Sequence, residues 1–142
     1  MRALLDVNVL IALLDMDHIH HPVASNWLLA NIHTGWASCP LTQNGCIRIM
    51  AQPGYPNALP PAQVAQRLSE AAGTDHHHFW ADDLSLLETG VVHWESVLGS
   101  RQVTDVYLLA LAVHRAGRLV TFDRAISRRA VQGAEPEHLV VL

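Results

Sequence analysis

Three aspartates, Asp6, Asp105 and Asp123, stand where a carboxylate needs a reason to be. Asp6 interrupts the apolar opening MRALLDVNVLIALL, Asp123 follows the apolar run RLVTF, and Asp105 begins the nearly all-apolar stretch DVYLLALAVH. A buried, unpaired carboxylate is costly, so the fold must want Asp6 where it is. Two carboxylates about 4 Å apart repel by roughly 4 kcal/mol at an effective dielectric near 20. Three brought together must therefore bind a cation or take up protons. Oxygen-only ligands suit a hard ion, Mg²⁺ or Mn²⁺, and such an ion can activate a water and stabilise an in-line displacement at phosphorus. Read one at a time, Asp6 and Asp105 are equally well explained as helix caps and Asp123 as a turn residue. Only their convergence would point to chemistry.

The elements between them decide whether they converge. Ala3-Leu4-Leu5, GWASC, HHHFW, RLVTF and HLVVL read as short strands, the last two apolar throughout, as in parallel sheets buried on both faces. Between them lie helical patterns. Asn8 is the expected N-cap of a helix ending near Leu14. Pro22 opens a second helix, with Val23, Trp27 and Ala30 or Leu28 on its inner face, stopping before Gly35. A third runs from Leu41 to Met50 and is closed by Pro53. PAQVAQRLSEAAG buries Val64, Ala65, Leu68 and Ala72, and Thr104 is the expected cap of a central helix stopped by Gly117. Residues 81 to 100 read as a loop with helical turns near Leu84 to Glu88 and Trp94 to Leu98. Strands alternating with helices predict an α/β fold with a parallel sheet. Sites in such sheets lie at the carboxyl ends of the strands. Asp6 and Asp123 each follow a strand on that edge, and Asp105 opens the helix leading back to the second of them.

Length and charge narrow the class. The 142 residues, 50% of them hydrophobic, suit one domain spanning residues 1–142, with no linker and no membrane span. The opening reads as a strand broken by Asp6 and not as a signal peptide, which predicts a cytoplasmic protein, and Cys39 and Cys46 are then expected to be reduced core residues. A net charge of −4 argues against nonspecific coating of nucleic acid or membrane. There is no lysine, however, and six of the nine arginines (Arg101, Arg115, Arg118, Arg124, Arg128, Arg129) fall in one segment whose only acids are Asp105 and Asp123. Arginine favours bidentate phosphate contacts; a merely solvated face would look the same.

At these residues the sequence resembles a known family. LLDVNVLIALL, CPLTQNGCIRIM, HHFWADDLSL and TDVYLLALAVHRAGRLVTFDRAI together resemble the PIN-domain ribonucleases of the VapC toxin type, across nearly the whole chain. The resemblance implies a PIN-like three-layer fold, a central parallel β-sheet flanked by helices. It also implies a Mg²⁺- or Mn²⁺-dependent endoribonuclease, dimerisation, and a VapB-type antitoxin that blocks the site. Carried over by position, Asp6, Asp105 and Asp123 match the family's first, third and fourth acids, and Asn8 and Thr104 its polar neighbours. The second acid, a glutamate after strand two, is replaced here by Gln43, which can ligate through its carbonyl or hold a water but brings no charge. Asp82 and Asp83 are read as loop or capping residues, with the alternative that one supplies the missing charge.

The expected function is thus a metal-dependent endoribonuclease toxin acting through a metal-activated water. Asp6, Asp105 and Asp123 would hold the ion, and Arg101 and Arg124 would grip RNA phosphates. A catalytically weak PIN-fold module that binds RNA or an antitoxin is the alternative that Gln43 keeps open. A haloacid-dehalogenase-like phosphatase with Asp6 as nucleophile expects an aspartate where Asn8 stands. Ten histidines invite a transition-metal reading, but His76 and His78 would share one strand face with no third ligand. The four tryptophans, Trp27, Trp36, Trp80 and Trp94, could stack on RNA bases but in apolar segments are expected in the core, and the Trp27 helix with the proline-rich loop is the expected dimer or antitoxin surface.

Overall fold

The computed structural model describes all 142 residues, Met1–Leu142. Five strands, β1 (Ala3–Leu5), β2 (Trp36–Ser38), β3 (His77–Phe79), β4 (Arg118–Thr121) and β5 (Leu139–Val141), pair entirely in parallel in the order β3-β2-β1-β4-β5. Five α-helices connect them: α1 (Val7–Leu14), α2 (His21–Asn31), α3 (Pro40–Met50), α4 (Pro61–Ala72) and α5 (Val103–His114). Strand order reverses between β1 and β4, leaving a crevice at their carboxyl ends. No helix is long and apolar enough to cross a membrane.

Strand alternation divides the core into two layers. Ala3, Leu5 and Val120 face one side with Val9, Ile11, Ala24, Cys46, Met50, Val64 and Leu68 from the first four helices. Leu4 and Leu119 face the other, against Val106, Leu108, Leu109 and Leu111 of α5 and against Trp80. Cys39 and Cys46 are free and buried, one in each layer. Trp36 and Trp80 are core residues at 5% and 6% exposure, whereas Trp94 is 47% exposed.

Several local expectations need correction. Asp6, not Asn8, caps α1, because its carboxylate accepts the Val7 N–H at 2.7 Å. Thr104 is the exposed second residue of α5, and the chain enters that helix through a 3₁₀ turn, Ser100–Gln102, with no side-chain cap. The inner face of α2 carries Trp27 and Leu28 as expected, but with Ala24 in place of Val23; Val23 and Ala30 are exposed. Residues 81 to 100 are largely irregular, with a 3₁₀ turn at Trp94–Ser96. They are held by a bridge between Val92 and Val131.

The end of α5 is instructive. The Gly117 N–H bonds the Ala112 carbonyl at 2.8 Å and the Ala116 N–H that of Val113 at 3.0 Å, a Schellman arrangement. The left-handed residue is Ala116, at φ 52, and not the glycine beside it. Gly117 is needed for closeness instead, since a Cβ there would lie 2.5 Å from Trp80 Cη2 and 2.7 Å from the Arg2 carbonyl oxygen. Ala116→Gly should therefore stabilise the protein by about 0.5–1 kcal/mol, while Gly117→Ala should destabilise it by about 1–3 kcal/mol. Urea unfolding checks both, and shifts of the same sign would contradict this account of the turn.

Candidate active site

Asp6 follows β1 with extended backbone and is 6% exposed. One carboxylate oxygen takes the Val7 N–H; the other accepts the Thr121 hydroxyl at 2.6 Å. Burial raises the Asp6 pKa and outweighs these two hydrogen bonds, and the Asp123 charge raises it further. Thr121, fully buried at the end of β4, is the residue that sequence reasoning missed. Its hydroxyl donates to Asp6 and accepts the Asp123 N–H at 3.0 Å. The available signal was a hydroxyl closing an otherwise apolar strand directly before an acidic turn.

Asn8, on the first turn of α1, spans the same junction. Its amide nitrogen reaches Thr121 Oγ1 at 3.4 Å and its oxygen accepts the Phe122 N–H at 3.4 Å. The Asp123 carboxylate is aimed by the Ala125 N–H at 2.7 Å. Asp105 projects from the first turn of α5 into a cleft of about 170 Å³ that Asp123 also lines, together with Arg101, Ser127 and Ala130. Burial, then the charges of Asp6 and Asp123, push Asp105 up to about 6. The three aspartates thus share one electrostatic site assembled from β1, α5 and the turn after β4. They do not close into a tight cage: no three His, Cys, Asp or Glu side chains in the molecule are drawn together as ready-made metal ligands. No cation pairs with any of the three, as the ion pairs are Arg115 with Asp83 at 2.9 Å and His93 with Glu95 at 3.8 Å.

The remaining expected residues separate. Arg101 lines the cleft, whereas Arg124 is exposed outside its lining, and neither side chain has a protein partner. Thr104 makes no side-chain hydrogen bond and sits one residue before Asp105. Gln43 is not hydrogen-bonded to the acids. Its amide donates to Ser38 Oγ at 3.0 Å, Ser38 Oγ meets His77 Nε2 at 2.8 Å, and Gln43 lines a groove between α3 and α4. Asp82 accepts the Leu41 N–H at the start of α3 and Asp83 pairs with Arg115, so both act as capping or loop residues.

The PIN domain model matches residues 3–132. The chain belongs to the PIN-domain family. Within it, this PIN domain falls in the VapC branch: it is 49% identical over 142 residues to ribonuclease VapC44 of Mycobacterium tuberculosis, covering 100% of both chains. It is 44% identical over 131 residues to ribonuclease VapC38 of the same organism, covering 92% of this chain and 91% of that one. The crystal structure of VapBC2 from Rickettsia felis, bound to a DNA fragment from its promoter, shares the fold at a TM-score of 0.58 and 14% identity, over 87% of this chain and 89% of that one.

The charge crowding can be measured without any substrate. The folded-state pKa of Asp105, about 6, lies above its ordinary value of 3.8, so its ionisation costs the metal-free fold stability. That cost is absent below 3.8, grows as pH rises, and is complete above about 6. In the presence of chelator, Asp105→Asn should melt higher than the parent at about pH 7.5, with the gap closing toward about pH 4. A gap independent of pH would mean that neither burial nor the other two acids disfavour the Asp105 charge.

Proposed function

We propose that this PIN domain, acting as a single domain over residues 1–142, is a divalent-metal-dependent endoribonuclease and the toxin of a VapB-type toxin-antitoxin pair. The observation that carries the proposal is the one uncompensated acidic site at the strand-order reversal, opening into a cleft that also holds Arg101. The full-length likeness to proteins named as ribonucleases supports it. The donor set fits a hard cation: three carboxylates, two of them with raised pKa values, and no protein cation against them.

Asp6, Asp105 and Asp123 would hold Mg²⁺ or Mn²⁺, and their loose spacing suits an ion that keeps several of its waters. When bound, that ion supplies Lewis-acid stabilisation of charge on the phosphoryl oxygens and makes water a competent nucleophile near neutral pH. The protein residues do the positioning. Thr121 and the Val7 N–H fix Asp6, Asn8 fixes the Asp123 turn, and Arg101 and Arg124 would hold RNA phosphates. Gln43, tied to Ser38, leaves the inner charge at three carboxylates. The protein would act in the cytoplasm as a homodimer, silenced by an antitoxin seated over the cleft.

Purified protein should cut single-stranded RNA with Mg²⁺ and stop on chelation, and Asp105→Asn should lower the rate on the order of a hundredfold or more while the protein stays folded. RNA that is bound but never cut, with or without metal, would favour the weak binding module instead. Replacing Arg101 and Arg124 with alanine should reduce the salt slope of single-stranded RNA binding by about 1.4 if each holds one phosphate. An unchanged slope would return both arginines to a solvated face.

A further inference from the structure

Six arginines cluster between residues 101 and 129, and the fold sorts them. Arg115 pairs with Asp83, and Arg118 bonds Asn31 and lies 5.0 Å over the Trp27 ring. The side chains of Arg128 and Arg129 are exposed and have no protein partner. They line an open cavity of about 420 Å³ with Ile126, Ser127 and Ala134, and Ile126 and Ser127 also line the acidic cleft. The two spaces therefore adjoin.

The segment carrying these arginines is anchored. Ala130 and Val131 are buried at 1% and 4% exposure, the Ala130 carbonyl accepts the His93 N–H at 2.9 Å, and Val131 bridges Val92. The same lacing brings the turn Trp94–Ser96 against the 3₁₀ turn Arg128–Ala130. Trp94, 47% exposed and outside both core layers, is thus carried on a turn packed against the one that bears Arg128 and Arg129. An exposed aromatic with adjacent cations is how single strands are held without reading sequence: a base stacks and the flanking phosphates are neutralised. A duplex keeps its bases stacked on one another and offers a lone tryptophan little.

We propose that Trp94, Arg128 and Arg129 form a second RNA subsite, holding a nucleotide of single-stranded substrate beyond the scissile phosphate. This rests on the RNA reading above and adds to it a preference for single strands long enough to reach from cleft to tryptophan.

The test is fluorescence anisotropy with labelled single-stranded RNAs of about 4 and 12 nucleotides, in an Asp105→Asn background that binds without cutting. Arg128→Ala with Arg129→Ala should weaken the 12-mer about tenfold, the 4-mer much less, and lower the 12-mer salt slope by about 1.4. Trp94→Ala should weaken the 12-mer about tenfold with the slope unchanged, and Trp94→Phe should keep most of the affinity. Circular dichroism melting confirms folding of each variant, and Trp94→Phe serves if Trp94→Ala unfolds. Equal losses on both lengths, equal losses on duplex RNA, no loss, or a loss only in capture of the antitoxin would each overturn the subsite. If the parent never cleaves RNA yet these length-dependent losses hold, the nuclease reading fails and the subsite stands as an RNA-binding surface.

Discussion

The hydrogen bond from Thr121 to Asp6 spans 115 residues of sequence and joins the only two strands between which the sheet reverses order. It lets a carboxylate sit at 6% exposure in an apolar setting, with its two oxygens held by one backbone N–H and one hydroxyl. The hydroxyl in turn takes the Asp123 N–H, so the shape of the next turn follows from the same contact. Leaving either partner buried without the other would cost about 1–3 kcal/mol, more for the charge. Such a contact fixes the β1 and β4 termini against each other at the place where side chains must converge.

Around that contact the sheet works as a ruler. Parallel pairing sets Leu5 opposite Val120, so the residues that follow, Asp6 and Thr121, lie side by side at the strand ends. Helix α5 then enters over the same edge with Asp105 in its first turn, where a carboxylate also meets the favourable end of the helix dipole. That contribution, at most about 1 kcal/mol for a partly exposed group, does not overcome burial and the neighbouring charges, since the pKa still rises to about 6. Electrostatic strain is therefore concentrated in one open cleft while the rest of the molecule carries only two ion pairs.

What the sequence made legible was what short-range pattern determines. Four of the five strands follow from short, largely apolar runs bounded by glycine, proline or charge, β3 being the histidine-rich exception, and the convergence of three acids follows from strand-end topology. Asp6 and Asn8 both competed for the α1 cap because two cap-competent residues stand two positions apart, and only the strand's end decides which has extended backbone. The role of Thr121 was signalled only by a hydroxyl at a strand end, because its partner lies 115 residues away. Trp94 was assigned to the core because composition cannot tell a tryptophan packed beneath the sheet, like Trp80, from one held at the surface by a single bridge between Val92 and Val131. The arginine cluster was ambiguous for the same reason: its members differ in what they touch, not in where they fall along the chain.

Gln43 shows how packing, and not a single substitution, sets the charge of the site. Helix α3 approaches α1 so closely that a Cβ at Gly45 would lie 2.7 Å from Val7 Cγ2, beside the Asp6 cap. With no side chain at Gly45, the face of α3 turned toward Val7 carries no acid. Gln43 occupies a neighbouring face, where its amide donates to the Ser38 hydroxyl that His77 also engages. His77 is held toward its neutral form mainly by burial, which keeps Nε2 available to the Ser38 hydroxyl. A carboxylate at that position could no longer donate to Ser38, and its own demand for a donor would compete with His77 for the same hydroxyl. The amide at residue 43 is thus matched to the β2–β3 edge that it touches, and the acidic site is left to the three aspartates that the β1–β4 junction and α5 can deliver.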